Sequence, residues 1–128
     1  MQNENYSPLT LAFLGDTVFD LLVRRELVLE GNRPVKDLHK SASEKVCASA
    51  QAQAIKRILP ALGEDEEAVF RRGRNAHPGS TPKNQSGADY HYATGLECLF
   101  GWLYLNGKTD RIKELYALMK PEVGSEDD

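Results

Sequence analysis

Clusters of thiol and imidazole ligands are missing from this sequence. The only cysteines, Cys47 and Cys98, lie far apart and form no spaced cluster with the histidines. A zinc site and a structural disulfide are therefore not expected, and two buried thiols in a reducing compartment are. None of His39, His77 and His91 has a glutamate three residues before it. That excludes a ferritin-like di-iron bundle, which needs such pairs on two helices. No apolar run is long enough to cross a bilayer, and no charged segment followed by an apolar one opens the chain. A soluble, cytoplasmic protein is expected. What remains is ordinary globular material: 128 residues, 41% hydrophobic and 27% charged. That is enough for a single domain with its own core.

Basic charge is also scarce overall, since the formal net charge is −3. An acidic sum weighs against a nucleic-acid binder, but distribution matters more than the sum. Between Arg71 and Ala88 stand Arg71, Arg72, Arg74, Lys83 and His77, with no acid. The acids gather elsewhere, in Glu64-Asp65-Glu66-Glu67 and in the Glu126-Asp127-Asp128 tail. One local basic footprint is compatible with that balance.

The periodicity predicts an all-α fold of about five main helices and no strand. Ser7-Pro8 provides an N-cap and a first-turn proline, and Gly31 a C-terminal stop. Leu11, Leu14, Val18, Leu21 and Leu22 recur between them at helical spacing. A second helix is expected from about Val35 to about Leu59, ended by Pro60. A third is expected over roughly Glu64 to Arg72, acids first and arginines last, as the helix dipole favours. The stretch GRNAHPGSTPKNQSGA reads as a loop over 73–88, and loops that long in compact domains usually carry function. A fourth helix, about Asp89 to Leu105, is the most apolar segment. A fifth spans about Thr109 to Met119, and an acidic tail over 121–128 is expected to be disordered.

Two carboxylates stand where a core should be. Asp16 lies between LAFLG and TVF, and Glu97 is the sole charge from Tyr92 to Leu105. Both are mid-helix, away from the N-terminal dipole that stabilises a carboxylate. An ionised carboxylate buried without a partner is very costly. Each must face solvent, find a cation or bind a metal. Gly15 beside Asp16, and Gly101 one turn after Glu97, weaken their helices and so point to close approach of a backbone or a ligand. Asp20 lies one turn beyond Asp16 and is either a further ligand or a solvated helix-face acid. Hard oxygen ligands favour magnesium or manganese, and magnesium commonly takes one or two protein carboxylates plus water and phosphate.

LAFLGDTVFDLLVRREL resembles the signature helix of the ribonuclease III family, and ATGLECLFGWLYL resembles its later catalytic helix. DLHKSASEKVCASAQAQ and RRGRNAHPGSTPKN resemble one branch, the Mini-III ribonucleases, which consist of the catalytic domain alone. The resemblance spans roughly Leu9 to Leu105. It implies a helical, homodimeric endoribonuclease that cuts double-stranded RNA with magnesium, manganese substituting. It implies 23S ribosomal RNA precursor as the substrate, and no double-stranded RNA-binding domain. Asp16 and Glu97 match the family's catalytic, metal-binding acids. Ala12 and Thr94 stand where longer relatives have two further acids, which points to fewer protein ligands and leaves open a non-catalytic duplex-RNA-binding module of the same fold. Phe13 matches an aromatic that packs across the dimer axis, against the ordinary alternative of an internal core phenylalanine. A lone catalytic domain also points to outside help, with a large-subunit ribosomal protein as the candidate.

Duplex RNA is read mainly through phosphates and 2′-hydroxyls. Arg71, Arg72, Arg74 and Lys83 are the candidate phosphate contacts. Asn75, Ser80, Thr81 and Asn84 are candidate hydrogen-bond donors. For Arg71 and Arg72 the competing role is capping of a helix C-terminus. The products expected from metal-assisted hydrolysis carry 5′-phosphate and 3′-hydroxyl ends.

Overall fold

The computed structural model describes residues 6–76 and 87–121. Its elements, in order, are α1 (Pro8–Glu30), α2 (Val35–Val46), α3 (Ala48–Ile58), a 3-10 turn (Leu59–Ala61), α4 (Glu64–Arg74), α5 (Gly87–Leu105) and α6 (Thr109–Leu118). Among the described residues there is no strand. No described helix is long and apolar enough to cross a membrane.

The apolar helix α5 is the axis of the fold. Ala93, Thr94, Gly95, Leu96, Cys98, Leu99, Phe100, Gly101 and Leu103 are all buried, so α5 is covered on nearly every side. It packs against α1, α4 and α3, with α6 closing one end. From α1 the buried residues are Leu11, Ala12, Gly15, Phe19, Val23 and Leu27. Leu21, one of the periodic leucines, instead faces outward at 65% exposure.

Two polar clamps hold α6. Arg111 grips both carboxylate oxygens of Glu66 at 2.8 Å and also donates to the Ala61 carbonyl. Glu66 additionally accepts from the Gly63 N–H, which caps the start of α4. On the other side, Lys120 and the Tyr116 hydroxyl both meet Glu26 of α1.

The structure corrects the expected helix pattern in two places. The single helix expected from Val35 to Leu59 is broken at Cys47, whose φ of −68° and ψ of 162° are extended. No glycine or proline marks the break. Instead the Cys47 thiol lies 3.5 Å from both the Glu44 carbonyl and the Ser49 hydroxyl, and the cysteine is exposed rather than buried. The second correction concerns the loop expected from residue 73. Helix α4 continues to Arg74, and α5 already begins at Gly87. Gly73 does not end its helix. It lets α4 press on α5, because a Cβ there would lie 2.5 Å from the Cys98 Cβ. The middle of the expected loop and most of the expected tail lie outside the described residues.

Candidate active site

Helices α1 and α5 cross with their backbones nearly touching. A Cβ on Gly15 would fall 1.7 Å from the Glu97 carbonyl oxygen, and one on Gly101 would fall 2.0 Å from the Leu11 carbonyl oxygen. The two glycines flagged beside the acids therefore admit a neighbouring backbone. This crossing places Asp16, the residue after Gly15, against Glu97, which comes from the far end of the sequence.

The pair is electrostatically uncomfortable. Burial pushes the Glu97 carboxyl up to about 7, and the adjacent Asp16 charge and a hydrogen bond with Asp16 add to the rise. A hydrogen bond donated by Gln51 opposes it. Asp16 is exposed and Glu97 is partly buried, so the pair sits at the edge of the core, open to solvent on the α1 side. Among the described residues, no lysine or arginine forms an ion pair with either acid. The purely structural alternative, an arginine neutralising each acid, is not what the described residues show. A close carboxylate pair without a cation, one member of which resists ionisation, is a fit place for a divalent ion.

Around the pair, the other candidates separate. Asp20 pairs with Arg24 at 3.2 Å one turn along α1, as a helix-face acid does. Ala12 and Thr94 are both buried, and the Thr94 hydroxyl donates to the Tyr90 carbonyl of its own helix at 3.0 Å. Neither offers a carboxylate to the site. In keeping with that, no group of three or more acidic, histidine or cysteine side chains is poised to hold a metal among the described residues. Phe13 is 82% exposed, so it is not a core phenylalanine of this chain. Trp102 is half-buried and Tyr104 exposed.

Arg71, Arg72, Arg74 and Asn75 sit together at the C-terminal end of α4. Arg71 and Arg72 are exposed. Arg74 is held more firmly, its guanidinium 5.8 Å from the Phe70 ring centroid and 5.9 Å from that of Tyr92. It also donates to the Asn75 side chain at 3.3 Å. His77, Ser80, Thr81, Lys83 and Asn84 lie outside the described residues.

One residue at the site was not singled out from the sequence. Gln51 of α3 is 2% exposed and donates from Nε2 to Glu97 Oε2 at 3.3 Å. Its signal was available, because Gln51 occupies the apolar stripe of α3 with Ile55 and Ile58. A glutamine there is a buried polar group in need of a reason.

Residues 9–108 match the model of the Ribonuclease III domain. A Mini-ribonuclease 3 from Thermoanaerobacter sp. (strain X514) is 46% identical over 88% of this chain and 79% of its own length. A Mini-ribonuclease 3 from Desulfitobacterium hafniense (strain Y51) is 42% identical over 98% of this chain and 79% of its own. A crystallised protein from Fusobacterium nucleatum superposes with a TM-score of 0.83 at 30% identity, covering 92% of this chain and 95% of that one. The glycine-mediated crossing, the acid pair it creates and these likenesses converge: the chain belongs to the ribonuclease III family of endoribonucleases.

Proposed function

We propose that the chain hydrolyses double-stranded RNA with a divalent ion, magnesium or in its place manganese, held by Asp16 and Glu97. The observation that carries this reading is the meeting of those two acids at the α1–α5 crossing, with no neutralising cation among the described residues. The residues fit the group in a second respect. Gln51 Oε1, on the amide that touches Glu97, is buried without a partner among the described residues, leaving an acceptor for a hydrating water.

Bound there, the ion would supply an activated water and neutralise the oxygen that leaves the phosphodiester. The protein's own contribution is placement. The tight crossing fixes Asp16 relative to Glu97, and Gln51 holds the Glu97 carboxylate from behind. The partial burial of Glu97 strengthens its attraction for a cation. Arg71, Arg72 and Arg74 of α4 would meet RNA phosphates, with Thr81 and Lys83 proposed to extend that contact. With two protein ligands rather than four, the ion's shell relies on water and RNA phosphate. The products would carry 5′-phosphate and 3′-hydroxyl ends.

A homodimer is part of this proposal. Leu9, Phe13, Leu21 and Val28 are exposed along α1. Beside them lies a groove of about 240 Å³ lined by Leu27, Val28, Val35 and Leu38. A self-complementary apolar helix face suits a twofold axis, with two sites addressing the two strands of a duplex. The proposed natural substrate is the duplex stem of a 23S ribosomal RNA precursor, in the cytoplasm, with a large-subunit ribosomal protein as a helper.

The test uses a duplex RNA and a 23S precursor transcript with magnesium, comparing wild type with Asp16→Asn and Glu97→Gln. Wild type is expected to cut both, and each variant to lose at least about two orders of magnitude in rate. A variant that cuts normally removes that residue from the site. Cleavage of the generic duplex alone would refute the 23S assignment and leave the chemistry standing.

A further inference from the structure

Gln51 connects two features that are otherwise unrelated: the break between α2 and α3, and the candidate catalytic acid on α5. In an unbroken helix the Val46 carbonyl would accept from the backbone N–H four residues on. The extended backbone of Cys47 removes that bond. The Gln51 side chain replaces it, donating from Nε2 to the Val46 carbonyl at 2.9 Å. The second proton of the same amide goes to Glu97 Oε2 at 3.3 Å. Both neighbours are acceptors, so only the NH₂ end of the amide satisfies them, and the side chain has one allowed orientation. The remaining atom, Oε1, is buried without a partner among the described residues. An ordinary helix cap would not need to leave a buried acceptor unsatisfied, which costs about 1–3 kcal/mol.

We infer that Gln51 is a positioning residue for the metal site, fixing the direction of the Glu97 carboxylate by tying its Oε2 to the α2–α3 break. The inference rests on the proposed role of Glu97 as a metal ligand. Holding one carboxylate oxygen from behind leaves the other to face Asp16 and the ion. A ligand that does not have to be immobilised on binding holds its ion more tightly, and outer partners of metal ligands act in this way. Without the Gln51 donor, Glu97 is free to rotate within a site that has only two protein ligands to begin with.

The test measures manganese binding to the metal-free protein by calorimetry, together with thermal unfolding and duplex-RNA kinetics. Gln51→Met keeps the length and bulk of the side chain but lacks both protons. It is expected to bind Mn²⁺ about tenfold or more weakly, with kcat down about 10–100-fold and KM for RNA nearly unchanged. In a Glu97→Gln background the same change should weaken Mn²⁺ binding no further, since Gln51 acts through Glu97. An equal loss in both backgrounds would overturn the inference and leave Gln51 a structural cap. Should Gln51→Met not fold, Gln51→Asn gives the comparison, because its shorter amide cannot span both acceptors. Wild-type Mn²⁺ affinity in Gln51→Asn also overturns it. If Glu97→Gln alone binds Mn²⁺ like wild type, the metal-site reading fails first and takes this inference with it. If Glu97→Gln loses affinity while the Gln51 variants keep it, only the role of Gln51 is wrong.

Discussion

Gly15 lies against the backbone of Glu97 so closely that a Cβ would stand 1.7 Å from its carbonyl oxygen. That contact cannot be relieved by a side-chain rotation, because both sides are main chain. Gly15→Ala must therefore push α1 away from α5 and carry Asp16 with it. Overpacking of this kind costs about 1–3 kcal/mol or more. We expect a clear fall in the thermal midpoint together with a loss of cleavage larger than the residual fold explains. Gly87→Ala is the control, since nothing lies within 4 Å of a Cβ there. Equal behaviour of the two variants would refute the crossing as the device that sets the acid pair.

The raised Glu97 carboxyl makes a signed prediction about stability. Its ordinary value is 4.5, and burial, reinforced by Asp16, lifts it to about 7 in the fold. Between those values the folded state holds a proton that the unfolded chain has released. Metal-free protein should therefore lose stability as pH rises from about 4.5 to about 7, by an amount on the order of 3 kcal/mol at most. Glu97→Gln removes this penalty. It should unfold at higher denaturant than wild type at pH 8 and like wild type near pH 4.5. A pH-independent difference between the two proteins would contradict the assignment.

The same proton competes with the ion. Metal binding requires the deprotonated carboxylate, so Mg²⁺ should raise the thermal midpoint strongly at pH 8 and weakly at pH 5.5. Cleavage rate should fall along the acid side with a slope of about tenfold per pH unit, and the limb should move to lower pH as Mg²⁺ is raised. An acid limb that stays in place in Glu97→Gln would assign it to another group.

Much of this fold was legible because its helix ends carry local chemistry. Ser7 and Pro8 start α1, and the Ser7 hydroxyl does accept from the Thr10 N–H at 3.1 Å. The break at Cys47 was not legible, because the residues around it are compatible with a helix. Its compensation comes from a side chain further along, Gln51, and from a thiol. The start of the loop was misplaced for a related reason: the glycine-rich composition of the 73–88 stretch reads as loop from its first residue, while packing on Cys98 uses Gly73 as a spacer inside α4. The acids at 16 and 97 stood out as misplaced charges, yet periodicity cannot say which helices cross. Only the family resemblance paired them, and the glycines beside them turn out to be the physical reason they meet.

Phe13 is 82% exposed on a helix whose opposite side fills the core. Phe13→Asp should leave the monomer fold intact while disrupting a twofold contact, because burying an unpaired carboxylate there is prohibitive. Wild type is expected to sediment as a dimer and the variant as a monomer with an unchanged circular dichroism spectrum. A monomeric wild type, or a dimeric variant, would remove α1 as the dimer face.

The arginines at the end of α4 separate two roles by their response to salt. If Arg74 contacts a phosphate, Arg74→Ala should weaken duplex binding for every sequence and reduce the slope of log affinity against log salt by about 1. Arg74→Lys keeps the charge but loses much of the guanidinium stacking on Phe70 and Tyr92, so it should retain the slope with a smaller loss of affinity. For Arg71 and Arg72 the capping alternative predicts the reverse pattern: a lowered thermal midpoint, with RNA affinity and salt slope unchanged. Measured on Arg71→Ala and Arg72→Ala, a reduced slope at wild-type stability places them on the RNA, and a wild-type slope at reduced stability confines the RNA contact to Arg74 and the residues that follow it.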